Sequence, residues 1–206
     1  MELLSFKLYE AIIDWRSQEL EDFEEAVLSA RLPISTEEFA EIGAEYGIEI
    51  VDYDTFYAEL SDTHRESAPP REVPAFATVN PDTLRPRVIV NVPRIDMRLF
   101  DYIFHMLKHE MVHVGQWSRR AVQREGGPNP TDRTAYFSDK DEIMAFSQSI
   151  VDQMIKMGAR SISQGMGLLP QIRLYLDIRK AVEQSVLNRY HKYIYLYLEQ
   201  ELEINN

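Results

Sequence analysis

The segment 96–123 constrains this chain most, because its apolar spacing predicts one long helix that carries the sequence His-Glu-Met-Val-His at 109–113. Residues four apart on an α-helix lie about 40° apart around the axis and about 6 Å apart along it. The imidazoles of His109 and His113 can therefore reach one metal ion. Glu110 lies about 100° around the helix from His109, which suits a general base better than a third ligand.

A further histidine, His105, lies four residues before the motif and raises the question of a three-histidine site. His105 and His113 would lie about 12 Å apart along the helix, too far to share an ion with bonds of about 2 Å. We therefore predict that His105 is a packed or hydrogen-bonded neighbour of the site. The competing interpretation of the whole motif is a set of ordinary helix residues that bind no metal.

The composition limits the kinds of site and partner that this chain can have. There is no cysteine, so a thiolate zinc site and a disulfide framework are excluded, and a metal must be held by histidines and carboxylates. The formal net charge of −12 argues against a nucleic-acid-binding surface. No signal peptide and no run of 18 apolar residues is apparent, so we expect no membrane association and a cytoplasmic location in the producing or host cell, with virion association left open. Nothing in the sequence indicates the oligomeric state.

The pattern of apolar residues predicts a mostly helical α+β fold. We expect a single domain over 1–206, with a core at about 75–157 and a small sheet beside the motif helix. Helices are predicted before and after this core, at 5–46 and 170–203, and Ser35 begins a capping-box pattern that opens a helix within the first of these segments. The predicted strands and the second core helix lie at 48–51, 75–79, 87–92 and 139–157.

The strongest predicted strand, 87–92, is bracketed by Pro86 and Pro93, which are tolerated at strand ends and sheet edges. An edge strand beside the metal helix could receive an extended peptide by β-augmentation, whereas the alternative is an ordinary core strand. A peptidase would need an open cleft along 88–92. The glycine- and proline-rich stretch from 124 to about 138 is predicted to be an exposed loop. A flexible connection is predicted at Gly158, Gly165 and Gly167.

A catalytic zinc ion takes three protein ligands and leaves a fourth position for water. The extended metzincin pattern is not met, because Gln116 and Arg119 occupy its glycine and histidine positions. In the gluzincin plan a downstream helix supplies a glutamate, and here we assign Glu142, in the first turn of the helix that begins at Asp139. The structural alternative is that Glu142 folds back to cap that helix. Other candidate ligands are Asp139, Asp141 and His64.

The His-Glu-Met-Val-His motif, followed by Tyr136 and then by Glu-Ile-Met-Ala at 142–145, resembles small zincin-like metallopeptidases of the gluzincin type. It is similar in particular to uncharacterised members encoded by bacteriophages and prophages, over about residues 88–155. The resemblance implies a zincin core in which zinc activates a water, Glu110 is the general base, and Tyr136 donates to the oxyanion. A packing role is the alternative for Tyr136.

These observations predict a zinc-dependent metallopeptidase that hydrolyses a peptide or protein substrate. The main alternative is a non-proteolytic zincin-fold structural or host-interaction protein in which the motif helix is structural. A third interpretation is a metal-dependent hydrolase of a non-peptide amide or ester.

Overall fold

A computed structural model of the protein describes residues 18–60, 65, 68–80, 82–118 and 132–204. The fold is mostly helical α+β with a small sheet, which confirms the predicted fold class. The chain divides into two compact units, 1–121 and 122–206, and this division falls inside the predicted core. The single domain therefore stays a prediction. The start of the first predicted helix, the candidate ligand His64 and the loop up to residue 131 lie outside the described residues.

The first unit contains two small sheets and the motif helix. The described elements are α1 (Gln18–Ser29), β1 (Ile34–Ser35), α2 (Thr36–Glu45), β2 (Glu49–Asp52), α3 (Tyr53–Glu59), β3 (Ala75–Val79), β4 (Pro86–Val90), β5 (Arg94–Ile95) and α4 (Met97–Ser118). Strand β4 lies between β2, which runs parallel to it, and β3, which runs antiparallel, whereas β1 pairs antiparallel with β5.

Short polar side chains begin the helices of this unit. Ser35 caps α2 by accepting from the Glu38 N–H at 3.1 Å, as the sequence predicts. Asp96 accepts from the Leu99 N–H at 2.7 Å and so begins the motif helix α4. Beyond α2, Gly47 has a φ of +72°, a conformation that glycine adopts without steric cost.

Strand β4 is the central strand of its sheet, so of the two interpretations of 87–92 the core strand is confirmed and the edge strand is wrong. Ile89 pairs with Val51 on one side and with Phe76 on the other. All five residues of β4 are buried. Backbone pairing on both sides leaves β4 no free edge for an added peptide strand.

The two faces of this three-stranded sheet differ in chemistry. Val88 and Val90 point into an apolar core with Phe100, Ile103 and Leu107 of α4. Because side chains alternate across a strand, Arg87 and Ile89 point to the opposite face, where α3 packs. The sheet therefore supports the motif helix through aliphatic packing, while its other face carries a buried arginine.

The second unit is helical in the part of it that is described. It contains α5 (Arg133–Ser138), α6 (Lys140–Lys156), α7 (Ile162–Leu168), a 3₁₀ helix (Leu169–Gln171), α8 (Arg173–Ala181) and α9 (Gln184–Ile204). Helix α9 packs against both α6 and α7. Across the described residues of both units, no helix combines the length and the apolar character needed to cross a membrane.

Two sequence predictions about this unit are wrong. Residues 133–138 form helix α5 rather than the end of an exposed loop, because Asp132 caps the helix by accepting from the Ala135 N–H at 3.0 Å. Gly165 and Gly167 lie inside helix α7 rather than in a flexible connection. The lack of a side chain at Gly165 allows close packing, since an added Cβ would collide with Leu198 Cδ2 of α9.

The two glycines of α7 provide a matched test of this packing. We expect Gly165→Ala to lower the free energy of unfolding by about 1 kcal/mol, because crowding the fully buried Leu198 outweighs the gain in helix propensity. Gly167 has open space around its Cα, so Gly167→Ala should stabilise by up to about 1 kcal/mol. Urea unfolding of both variants measures this difference, and equal shifts would contradict the packing role of Gly165.

Candidate metal centre

Helix α4 presents the His-Glu-x-x-His motif on the side away from the core of the first unit. At about 100° per residue, His109 lies about 180° around the helix from Phe100, whose ring is buried in that core. The apolar spacing that anchors α4 against the sheet therefore places the histidines on the opposite side of the helix. This is the local reason why the same helix serves both packing and a candidate site.

The motif residues come together as the sequence predicts. The ligand atoms of His109, Glu110 and His113 all lie within 4.8 Å of one another. The two imidazole centroids are 5.0 Å apart, with the ring planes at 76°. His113 is buried, whereas His109 and Glu110 are half-buried. The helical spacing is therefore sufficient to gather two imidazoles and one carboxylate into a single cluster.

This donor set fits a zinc ion. Zinc accepts imidazole nitrogens at about 2.0–2.1 Å and binds carboxylates readily, and neither kind of ligand requires the cysteine that this chain lacks. Partial exposure of His109 and Glu110 leaves one side of the cluster accessible to water. The two histidine nitrogens are two of the three protein ligands that a catalytic zinc takes, and the adjacent carboxylate suits the general base.

His105 is not a member of this cluster in the described part of the chain, as predicted. A different neighbour, which the sequence analysis did not assign to the site, contacts His113. Gln116 Oε1 lies 3.1 Å from His113 Nδ1, one helical turn further along α4. The i, i+3 spacing is the only sequence signal for this contact, and that spacing is common in any helix.

The structure places the other predicted site residues, Tyr136 and Glu142, together in the second unit. Asp139 caps α6 by accepting from the Asp141 N–H at 2.9 Å, and Glu142 follows in the first turn. The Asp139 N–H donates to the Tyr136 carbonyl at 3.2 Å. Glu142 is half-buried, and its Oε2 is inaccessible to solvent.

Tyr190 of α9 lies close enough to these residues to be affected by their charge. Its hydroxyl donates to the Phe137 carbonyl at 2.9 Å. Burial raises the pKa of Tyr190, and the negative charge of Glu142 raises it further, with smaller contributions from Tyr136 and Asp139. The Tyr136 ring also packs edge-on against Phe146, at a centroid distance of 5.6 Å. The catalytic role of Tyr136 and the ligand role of Glu142 stay predictions.

Fold and cluster together define a mostly helical α+β protein with a His-Glu-x-x-His candidate metal centre. No protein-family model matches the chain, and comparisons with curated proteins and with solved structures find no match either. The residues of the site therefore carry the information about function.

Proposed function

We propose that this protein is a zinc-dependent metallopeptidase of zincin-like type. The observation that carries the proposal is the gathering of His109, Glu110 and His113 within 4.8 Å on one side of α4. Zinc hydrolases use two imidazoles of this spacing as ligands and the adjacent carboxylate as the general base. We expect zinc as the cofactor and a peptide or protein as the substrate.

The residues of the motif divide the chemistry between them. When bound, zinc acts as a Lewis acid and lowers the pKa of a coordinated water. His109 and His113 bind the ion through imidazole nitrogens. Glu110, whose carboxylate lies beside both rings, accepts a proton from the attacking water and returns it to the leaving amine. Glu142 is the predicted third ligand, and Tyr136 is the predicted hydrogen-bond donor to the oxyanion.

Zinc content tests the proposal directly, by elemental analysis of protein purified without added metal. We expect about one zinc ion per chain in the wild type, because the motif supplies two strong nitrogen ligands. His113→Ala should lose the zinc, since one histidine and a carboxylate bind it poorly. His105→Ala is the matched control, because this half-buried histidine lies on the same helix outside the cluster and should leave the zinc in place.

The third ligand is tested in the same experiment with Glu142→Ala. Zinc lost from this variant, with the helical circular dichroism spectrum retained, would support the ligand assignment. Zinc retained would move the assignment to Asp139, Asp141 or His64. A wild-type chain that remains metal-free when zinc is supplied would overturn the metallopeptidase proposal.

One observation favours a second candidate, a non-proteolytic protein of zincin-like type with a structural or host-interaction role. Strand β4, which one of the two interpretations made a docking edge for a substrate, is paired on both sides and buried. This candidate predicts that zinc-loaded protein cleaves no peptide. Incubation with an unstructured protein such as reduced casein, followed by mass spectrometry of fragments, separates the two candidates.

A further inference from the structure

We propose that Gln116 is a positioning residue that holds His113 in the ring orientation and tautomer required for metal binding. The inference rests on the proposed function, because it concerns how this chain prepares His113 for zinc. Its starting point is the 3.1 Å separation between Gln116 Oε1 and His113 Nδ1.

The chemistry of the two groups determines which atom carries the proton. A neutral imidazole has one N–H donor and one acceptor nitrogen, and an amide oxygen can only accept. The Gln116 oxygen therefore accepts from Nδ1–H of His113. The lone pair is then on Nε2, which is the nitrogen left to bind a metal. The opposite tautomer would place a proton on Nε2 and prevent binding there.

The surroundings make this contact consequential. His113 is only 6% exposed, so water cannot readily replace Gln116 as the partner of Nδ1. His113 also belongs to the 4.8 Å cluster with His109 and Glu110, so its ring orientation bears directly on the site. A hydrogen bond to Nδ1 restrains rotation of the imidazole and keeps the proton off Nε2. Partners of this kind commonly change metal affinity by about 10- to 100-fold.

Three variants separate positioning from general stability. Gln116→Leu keeps the size of the side chain and removes the acceptor, so we expect zinc affinity to fall about 10- to 100-fold. Gln116→Glu keeps an acceptor oxygen and should restore affinity to at least the wild-type level. Gln153→Leu is the matched control, a half-buried glutamine inside helix α6, and should leave the affinity unchanged. Competition with a chromophoric zinc chelator gives the affinities.

A second readout does not require metal. Long-range proton–nitrogen NMR of the imidazoles, about two pH units above the ordinary pKa of histidine, distinguishes the two neutral tautomers. We expect the Nδ1–H form for His113 in the wild type and in Gln116→Glu, and a mixture in Gln116→Leu.

The outcomes are distinct for the two proposals. Wild-type zinc affinity in Gln116→Leu, or an Nε2–H tautomer of His113 in the wild type, would overturn the positioning role. A wild-type chain that binds no zinc would instead overturn the proposed function, and the NMR measurement would still decide whether Gln116 sets the tautomer.

Discussion

Replacement of Glu110 by glutamine is expected to remove peptide hydrolysis while leaving zinc bound. The substitution preserves size and hydrogen-bonding shape but cannot accept a proton, so kcat/KM should fall about 10³-fold. His109 and His113 are unchanged, and zinc content by elemental analysis should stay at the wild-type level. The separation of metal binding from turnover is the specific signature of a general base.

Cleavage of reduced casein, quantified by mass spectrometry of the fragments, measures the activity of this variant. Glu45→Gln, at an exposed position in helix α2, is the control that changes charge equally without touching the cluster. Full activity in Glu110→Gln would contradict its role as the base. Loss of zinc together with activity would show instead that Glu110 is a ligand.

Substitution of Arg87 by methionine is expected to lower the free energy of unfolding of the first unit by on the order of 2 kcal/mol. The Arg87 side chain is 9% exposed. Its guanidinium donates to both carboxylate oxygens of Glu49, at 2.8 and 2.7 Å, and to Glu59 at 2.5 Å. Asn80 donates a further hydrogen bond to Glu49 at 2.8 Å. Removing the arginine leaves two neighbouring acids without their shared cation.

Urea unfolding and hydrogen exchange of the β4 amides measure this effect. The control is Arg71→Met, because the Arg71–Asp54 ion pair is mostly exposed and should contribute no more than about 1 kcal/mol. Equal destabilisation by Arg71→Met and Arg87→Met would contradict the argument from burial.

The Arg87 effect should also depend on pH in a defined direction. The hydrogen bonds from Arg87 hold the pKa of Glu49 below its ordinary value of 4.5. A carboxyl group with a lowered pKa in the folded state contributes its full stability above the unfolded value and loses it as the pH falls through the folded value. Wild type and Arg87→Met should therefore differ at neutral pH and converge in acid below 4.5. A difference that keeps its neutral-pH size well below pH 4.5 would contradict the ion-pair explanation.

Elements with a strong local signal were predicted well from the sequence. The strand at 75–79 matches β3 at both ends, and the predicted caps Ser35 and Asp139 begin helices α2 and α6. In each case the information lies within a few neighbouring residues, as alternating hydrophobicity or as a side chain that accepts from a nearby N–H. The clustering of His109, Glu110 and His113 is equally local, because one helix carries all three.

One error was local, because the cap that Asp132 provides for helix α5 was not recognised. The others concern features that depend on distant partners. Whether strand β4 lies at an edge is decided by its pairing with β2, which comes from a segment almost 40 residues earlier. Gly165 leaves room for Leu198 of a distant helix, and this packing role cannot be seen from its sequence neighbours, which predicted flexibility. In the sequence Arg87 is only a polar residue within an apolar strand. Its role becomes clear from its ion pairs with Glu49 and Glu59, which are distant in the chain.

By itself the sequence determined the helical α+β class and the composition of the candidate metal centre, because helix period and residue type are local properties. The tertiary structure alone decided that β4 is buried between two strands and that Arg87 has two acidic partners. It also revealed that Nδ1 of His113 contacts Gln116, since a common i, i+3 spacing becomes a hydrogen bond only with particular side-chain rotamers and burial. Pairing, burial and side-chain orientation depend on the whole chain, and no short window of residues contains them.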